Sequence, residues 1–345
     1  MVNKRNAIIL GLGATLAFFM LILVPKQAVQ AAAPSFTAQV TSDDQSTMDN
    51  QYFELNLQTG QQTTTQILVQ NLMAVPNKIQ VKPIVATTSS DGHAVYTSRP
   101  GKSDKSLKHK FTQLTGPTQT ITLPPHGEQT VTFNVTTPKD KDFVGLIMGG
   151  YQVSSLTAGS VKNPGSSKAD ITNKVNYAFP ALVSVNGGQE KIRPELTVGR
   201  PQINAYATMP YLNTLVRNIK PNLLTAMTLK FQVRTNKGKK VFSTQQSNLS
   251  MAANSNFELS LCWQPNRVVA GDYEAIYDFK TKSQSWRFRR HFTITDQQAG
   301  QLNRQNQQIQ PNYWPLFIIA GLLILILLVV FSWVIYYKGK KRGGR

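Results

Sequence analysis

The side chains able to do chemistry are few and dispersed. The 345-residue chain holds four histidines (His93, His109, His126 and His291), one cysteine (Cys262) and 17 acidic residues. Centres written into a sequence show as fixed spacings, such as H-E-x-x-H, paired Cys-x-x-Cys, a phosphate-cradling Gly-rich loop or G-x-S-x-G. None of these is present, and the histidines lie on turns and strand ends without a sequence-level partner. No catalytic residue, metal ligand or cofactor is therefore assigned, and the chain is not expected to be an enzyme. Cys262 falls in the strand-like run Leu259-Ser260-Leu261-Cys262-Trp263, where a packed thiol is the expectation. What remains is cationic. Lys102, Lys105, Lys108 and Lys110 crowd one polar loop, and Arg287, Arg289 and Arg290 alternate with Trp286 and Phe288 along one strand. Each group is a candidate ligand-binding site, with a solvated charged face as the alternative.

The ends of the chain place these groups. Lys4 and Arg5, an apolar stretch over 7–24 and Val29-Gln30-Ala31 as a cleavage site read as a secretory signal peptide over 1–31. The apolar part is long for a signal, so an uncleaved anchor with the same topology stays open. Residues 316–335 carry no charge, enough to cross a hydrocarbon core of about 30 Å. Tyr313, Trp314, Trp333, Tyr336 and Tyr337 bracket this span, and five basic residues follow it. A single-pass helix over 315–337, a cytoplasmic basic tail over 338–345 and an extracytoplasmic body are expected. With no LPxTG motif and no cysteine after the signal, the helix is expected to stay in the membrane.

The net charge is +20; the signal holds three of these charges and the tail five, which leaves +12 on the exported part. Outside a cell such a surface meets wall polymers, acidic glycans or lipid headgroups, and no nucleic-acid partner is expected. A lone cysteine forms no intrachain disulfide, so the exported body must be held by its cores, which fits a Gram-positive surface protein.

Short runs of period-2 alternation recur from residue 36 to 295 with no long helical stripe between them. Phe53, Leu55 and Leu57 share one face, as do Val131, Phe133 and Val135; half-buried antiparallel strands are expected. Residues 78–88 read as a strand before the turn Ser90-Asp91-Gly92, and 97–110 as a long surface loop. Residues 143–153 and 177–185 read as the last hairpin of a first domain, closed by Asn186-Gly187-Gly188. Residues 225–235 and 240–244 form a second hairpin around Asn236-Lys237-Gly238. The expected fold is all-β: two tandem immunoglobulin-like β-sandwiches, 36–188 and 189–296, then a polar stalk over 297–314.

These motifs carry a resemblance. Tyr52-Phe53-Glu54-Leu55 with Gly60-Gln61, Ala86-Thr87-Thr88-Ser89-Ser90-Asp91-Gly92, Leu123-Pro124-Pro125-His126-Gly127 and Gly145-Leu146-Ile147-Met148-Gly149-Gly150 stand in the first half. Asn254-Ser255-Asn256-Phe257, Trp263, Gly271-Asp272-Tyr273, Trp286-Arg287-Phe288 and Phe292-Thr293-Ile294-Thr295 stand in the second. In this order and spacing the chain resembles the WxL-interacting proteins of Gram-positive bacteria, with Ala253 where the family pattern usually has Pro. The resemblance implies a membrane-anchored adhesion scaffold that binds peptidoglycan or an anionic wall polymer through domain one and host or extracellular-matrix components through domain two. It also implies association with WxL-domain proteins. The lysine loop is then the candidate for wall polymer and the arginine strand for a partner. A chaperone-like or sensory sandwich protein is the alternative reading, and a wall-modifying enzyme a more distant one.

Overall fold

The computed structural model describes residues 34–41, 51–97, 103–157, 175–265, 267–306 and 313–342. The expected signal peptide, Lys102 and part of the lysine loop lie outside the described residues.

Alternation becomes two facing sheets in the first half. One sheet runs β1 (Phe36–Thr41), β3 (Gln62–Asn71), β8 (Glu128–Thr136), all antiparallel. The other has the order β2 (Phe53–Leu57), β10 (Asn176–Val185), β9 (Gly145–Ser155), β4 (Asn77–Val85), β7 (Gln119–Leu123). A two-stranded hairpin, β5 (Thr87–Thr88) and β6 (Ala94–Val95), and a one-turn helix α1 (Phe111–Leu114) are inserted between β4 and β7. Ile67 and Val69 from one sheet meet Ile79, Tyr151 and Val183 from the other in a common core, with Phe111 closing it. A Cβ on Gly149 would sit 2.2 Å from the Cβ of Phe111, so the helix can seat there only over a glycine.

The second half repeats this plan. After the short helix α2 (Gly188–Lys191), β13 (Met209–Asn218) pairs β16 (Ser255–Cys262) on one side, and β11 (Leu196–Val198) with β12 (Gln202–Tyr206) on the other. The facing sheet has the order β15 (Lys240–Met251), β14 (Leu224–Thr235), β17 (Gly271–Lys280), β18 (Ser285–Ile294). Strands β11-β13-β16 match β1-β3-β8, and β18-β17-β14-β15 match β10-β9-β4-β7. Each core contains one tyrosine whose hydroxyl bonds a threonine of the opposite sheet: Tyr151 to Thr65 and Tyr277 to Thr214, both at 2.7 Å. Burial raises both phenols, that of Tyr277 to about 12 against the opposing effects of Thr214 and Arg290, so both stay neutral. The corners match as well. Asn71 Nδ2 donates to the carbonyls of Val75 and Pro124, as Asn218 Nδ2 does to those of Asn222 and Ala252.

The structure departs from the sequence expectations at three places. Phe53, Leu55 and Leu57 are buried, but β2 runs parallel to β10. Alternation reports which face is buried and is blind to strand direction. Residues 296–305 form helix α3 (Asp296–Gln305), whose Ala299 and Leu302 are buried in the second core, so this part of the expected stalk is packed against the β-structure. The last element, α4 (Trp314–Arg342), includes a 20-residue segment, Trp314–Trp333, of mean hydropathy 3.0 with no burial, long and apolar enough to cross a membrane. The third departure, the loop ending at Lys110, belongs to the site below.

The repeated tyrosine bond is testable. Replacing Tyr151 or Tyr277 by Phe strands a buried threonine hydroxyl and should cost about 1–3 kcal/mol in urea unfolding. Adding Thr65→Val or Thr214→Val should restore part of that loss; a Tyr151→Phe variant as stable as wild type would show that the bond contributes nothing.

Candidate functional site

The part of the expected surface loop that carries Asp104 is pinned between the two units. Asp104 is 4 % exposed. It accepts five hydrogen bonds: Arg217 Nε at 2.8 Å and Nη2 at 2.9 Å, the Ser106 amide at 2.9 Å and hydroxyl at 2.8 Å, and Asn256 Nδ2 at 3.0 Å. Burial alone would push its carboxyl up, but the Arg217 guanidinium and the Ser106 and Asn256 donors together hold it well below the usual carboxylate range. A lone acid among lysines reads as solvated charge in sequence, and which arginine it finds is decided by β13 of the other unit.

Around this ion pair the β5–β6 hairpin docks on the second unit. Ser250 N–H donates to the Gly92 carbonyl at 2.8 Å, Ala94 N–H to Ser250 Oγ at 3.0 Å, and the Thr88 and Ser255 hydroxyls meet at 2.6 Å. Gly92 has φ +79°, and a Cβ there would lie 2.9 Å from Leu249 Cδ2, so the turn fits only as glycine. Leu146 N–H bonds the Pro221 carbonyl at 2.7 Å, and Ala86, Leu146, Met148, Ala252 and Ala253 form a small apolar core of their own. Ala253, where the family pattern has Pro, directs its N–H to Met148 Sδ at 3.2 Å, a contact proline would lack. Much of what carried the resemblance (86–92, 145–150 and 254–257) thus lies along this seam.

Beside the seam lies a cleft of about 390 Å³ built from both units. Phe143, Val144, Leu146, Ile147, Ile192, Ile219 and Pro221 give it an apolar lining, and Lys108, His109, Asp140, Asp142 and Lys220 give it charge. His109 sits edge-on to Phe143 at 4.7 Å, with Nε2 3.5 Å from Asp140 Oδ2. Of the candidate lysines, Lys108 lines this cleft, whereas Lys105 and Lys110 are exposed without lining it. The cleft suits an amphipathic ligand with an apolar body and charged edges. Among the described residues no three of His, Cys, Asp and Glu gather as they would around a metal.

The arginine strand is elsewhere and does not meet the lysines. Arg287 pairs with Asp278 at 3.1 Å and Arg289 with Glu274 at 3.5 Å on the outer face of the second unit. Arg290 follows the inner face: its Nε donates to the Val198 carbonyl at 2.9 Å and its Cζ lies 5.6 Å from the Phe288 ring centre. Two arginines therefore present charge outward, and the third ties β18 to β11.

Against this geometry, the family profile described as WxL Interacting Protein, peptidoglycan binding domain, matches residues 36–155, and that of its host binding domain matches 166–304. The chain belongs to the WxL-interacting proteins. The seam between its units does not coincide with the gap between the two profiles. Residues 176–185 fall in the host-binding match, yet as β10 they pair with β9 and β2 and complete the first unit's sheet. No curated protein matches the chain. Solved structures similar to it include a Salmonella enterica SafA pilin in complex with the SafB chaperone (11 % identity, TM-score 0.29, 76 % of this chain and 98 % of that one). The YadV chaperone (8 %, TM-score 0.29, 75 % and 100 %) and a PapD-like domain of human CEP192 (13 %, TM-score 0.26, 47 % and 94 %) are also similar. The strand pairings alone define the fold.

Asp104→Asn should lower stability by about 1.5–3 kcal/mol, because Arg217 loses its charged partner. Folding depresses the Asp104 pKa, so its contribution is fully present above the unfolded value of about 3.9 and is lost as pH falls through the folded value. The gap between wild type and variant in thermal unfolding should accordingly be constant near neutrality and narrow below about pH 4. A gap that does not change with acidification would exclude the charge as its source.

Proposed function

We propose that this chain is a non-catalytic scaffold of the Gram-positive cell surface, exported by its first 31 residues and held in the membrane by α4 with the basic tail inside. The first unit, an immunoglobulin-like sandwich, binds peptidoglycan or an anionic wall polymer; the second binds host or matrix components; and the assembly associates with WxL-domain proteins. The observation that carries this reading is the order along the chain: a peptidoglycan-binding match, a host-binding match, then an apolar helix of membrane-spanning length. The seam supports it mechanically, since two units clasped by an ion pair with a buried carboxylate present their ligand surfaces in one fixed relation. For wall polymer the surface we favour is the exposed loop of Lys105, Lys108 and Lys110, of which Lys108 reaches the apolar lining of the cleft. For a protein partner we favour the outward pair Arg287 and Arg289.

Purified full-length protein in detergent should co-sediment with peptidoglycan sacculi, and the combined Lys105→Gln, Lys108→Gln and Lys110→Gln variant should bind several-fold more weakly at low salt. Wild-type protein left in the supernatant at both low and moderate salt would defeat the wall-binding part. A crosslinked pull-down from the protein's own cells is expected to recover a WxL-domain protein.

A further inference from the structure

The two ends of the second unit differ in chemistry. One end meets the first unit across the seam. The opposite end gathers the β12–β13 turn, the β14–β15 turn, the 263–270 loop and α3. Trp263 N–H bonds the Pro210 carbonyl at 2.9 Å, Asn236 N–H bonds the Asp272 carbonyl at 3.0 Å, and Asn303 clamps both backbone groups of Val268 at 2.8 Å. Those bonds draw the turns, the loop and the helix to a common end.

What these segments expose is unusual for a solvated tip. Tyr206 is 76 % exposed beside Ala207, whose φ of +53° gives a tight turn, and Val269 is 62 % exposed while its carbonyl accepts from the Tyr273 hydroxyl. Lys237, Lys239, Lys240, Arg267 and Arg304 are exposed at the same end, and none of the five is ion-paired among the described residues. Their acidic counterweights there are Asp272, engaged by the Thr293 hydroxyl, and Asp296 in the first turn of α3. Eight residues, 306–313, separate α3 from α4, and such a linker reaches at most about 30 Å. Because α3 is packed into the core and is not a free stalk, this short tether keeps the basic end close to whatever α4 enters.

We infer that this end of the second unit rests on the anionic phospholipid surface of the bilayer, with Tyr206 and Val269 in the interface and the lysines and Arg267 against headgroup phosphates. The inference depends on the reading of α4 as a membrane anchor. Clustered cations near a negatively charged leaflet and an aromatic ring at headgroup depth act together in this way. The consequence is orientation: the seam and the first unit point away from the membrane, toward the wall.

The test uses full-length protein with Cys262→Ser and a single new cysteine at Tyr206, Val269 or Ser283. Ser283 lies in the β17–β18 turn at the other end of the sheet. Each variant carries a polarity-sensitive fluorophore and is reconstituted into nanodiscs of phosphatidylcholine alone or with phosphatidylglycerol, doped with nitroxide lipid. The labels at 206 and 269 should be quenched several-fold more than that at 283 in the anionic discs. The excess should fall with the combined Lys237→Gln, Lys239→Gln, Lys240→Gln and Arg267→Gln substitutions, and in 1 M salt, where screening shortens to about 3 Å. Equal quenching at 206, 269 and 283 in discs that retain the protein and quench its Trp314 and Trp333 would overturn the inference alone. Equal quenching at 206 and 269 in the two lipids would overturn its electrostatic part. Protein that does not co-elute with discs of either lipid would overturn the anchor reading, and this inference with it.

Discussion

Asp104 is charged and almost wholly removed from water, a state that costs several kcal/mol unless the lone pairs are answered. Here they are answered by a guanidinium, an amide, a hydroxyl and a carboxamide arriving from its own loop, β13 and β16. The constraint is reciprocal. The loop must fold inward to bring Asp104 down, and β13 must present Arg217 toward the first unit, so the relation between the units follows from satisfying one carboxylate. The cleft beside it, with Ser106 and Asn254 in its wall, exists because that relation is fixed.

The seam also shows how a protein without a disulfide among its described residues joins two β-units firmly. Its apolar core is small, made of alanines, Leu146 and Met148, and contributes modest hydrophobic burial. Backbone bonds at Gly92 and Leu146 and paired hydroxyls at Thr88 and Ser255 supply direction instead. Each of these groups is buried on docking and would be unsatisfied if the units shifted by a residue, which penalises alternative arrangements more than it rewards the native one.

Within each unit the same economy recurs. A tyrosine hydroxyl crossing to a threonine, and a corner asparagine stitching two loop carbonyls, appear at matching strands of both cores. Identical polar solutions in equivalent places point to a shared architectural plan. The units diverge at their edges, where β2 extends one sheet and β12 the other. Divergence at edges is where partner surfaces can change without disturbing a core.

The elements were legible in the chain before folding: alternation marked the buried faces, Gly and Asn turns set the β14–β15 hairpin, uniform apolarity singled out α4, and the ordered motifs identified the family. These properties are local, written into side-chain period and composition. Whereas the hairpin of β9 and β10 was already legible as the close of the first unit, tertiary structure decided strand direction at β2 and the packing of α3. It also decided that Arg290 turns inward while Arg287 and Arg289 face out, and that a loop aspartate governs the seam. Those outcomes depend on which distant group meets which, Asp104 and Arg217 across 113 positions of chain being the plainest case, and no local pattern encodes a partner at that range.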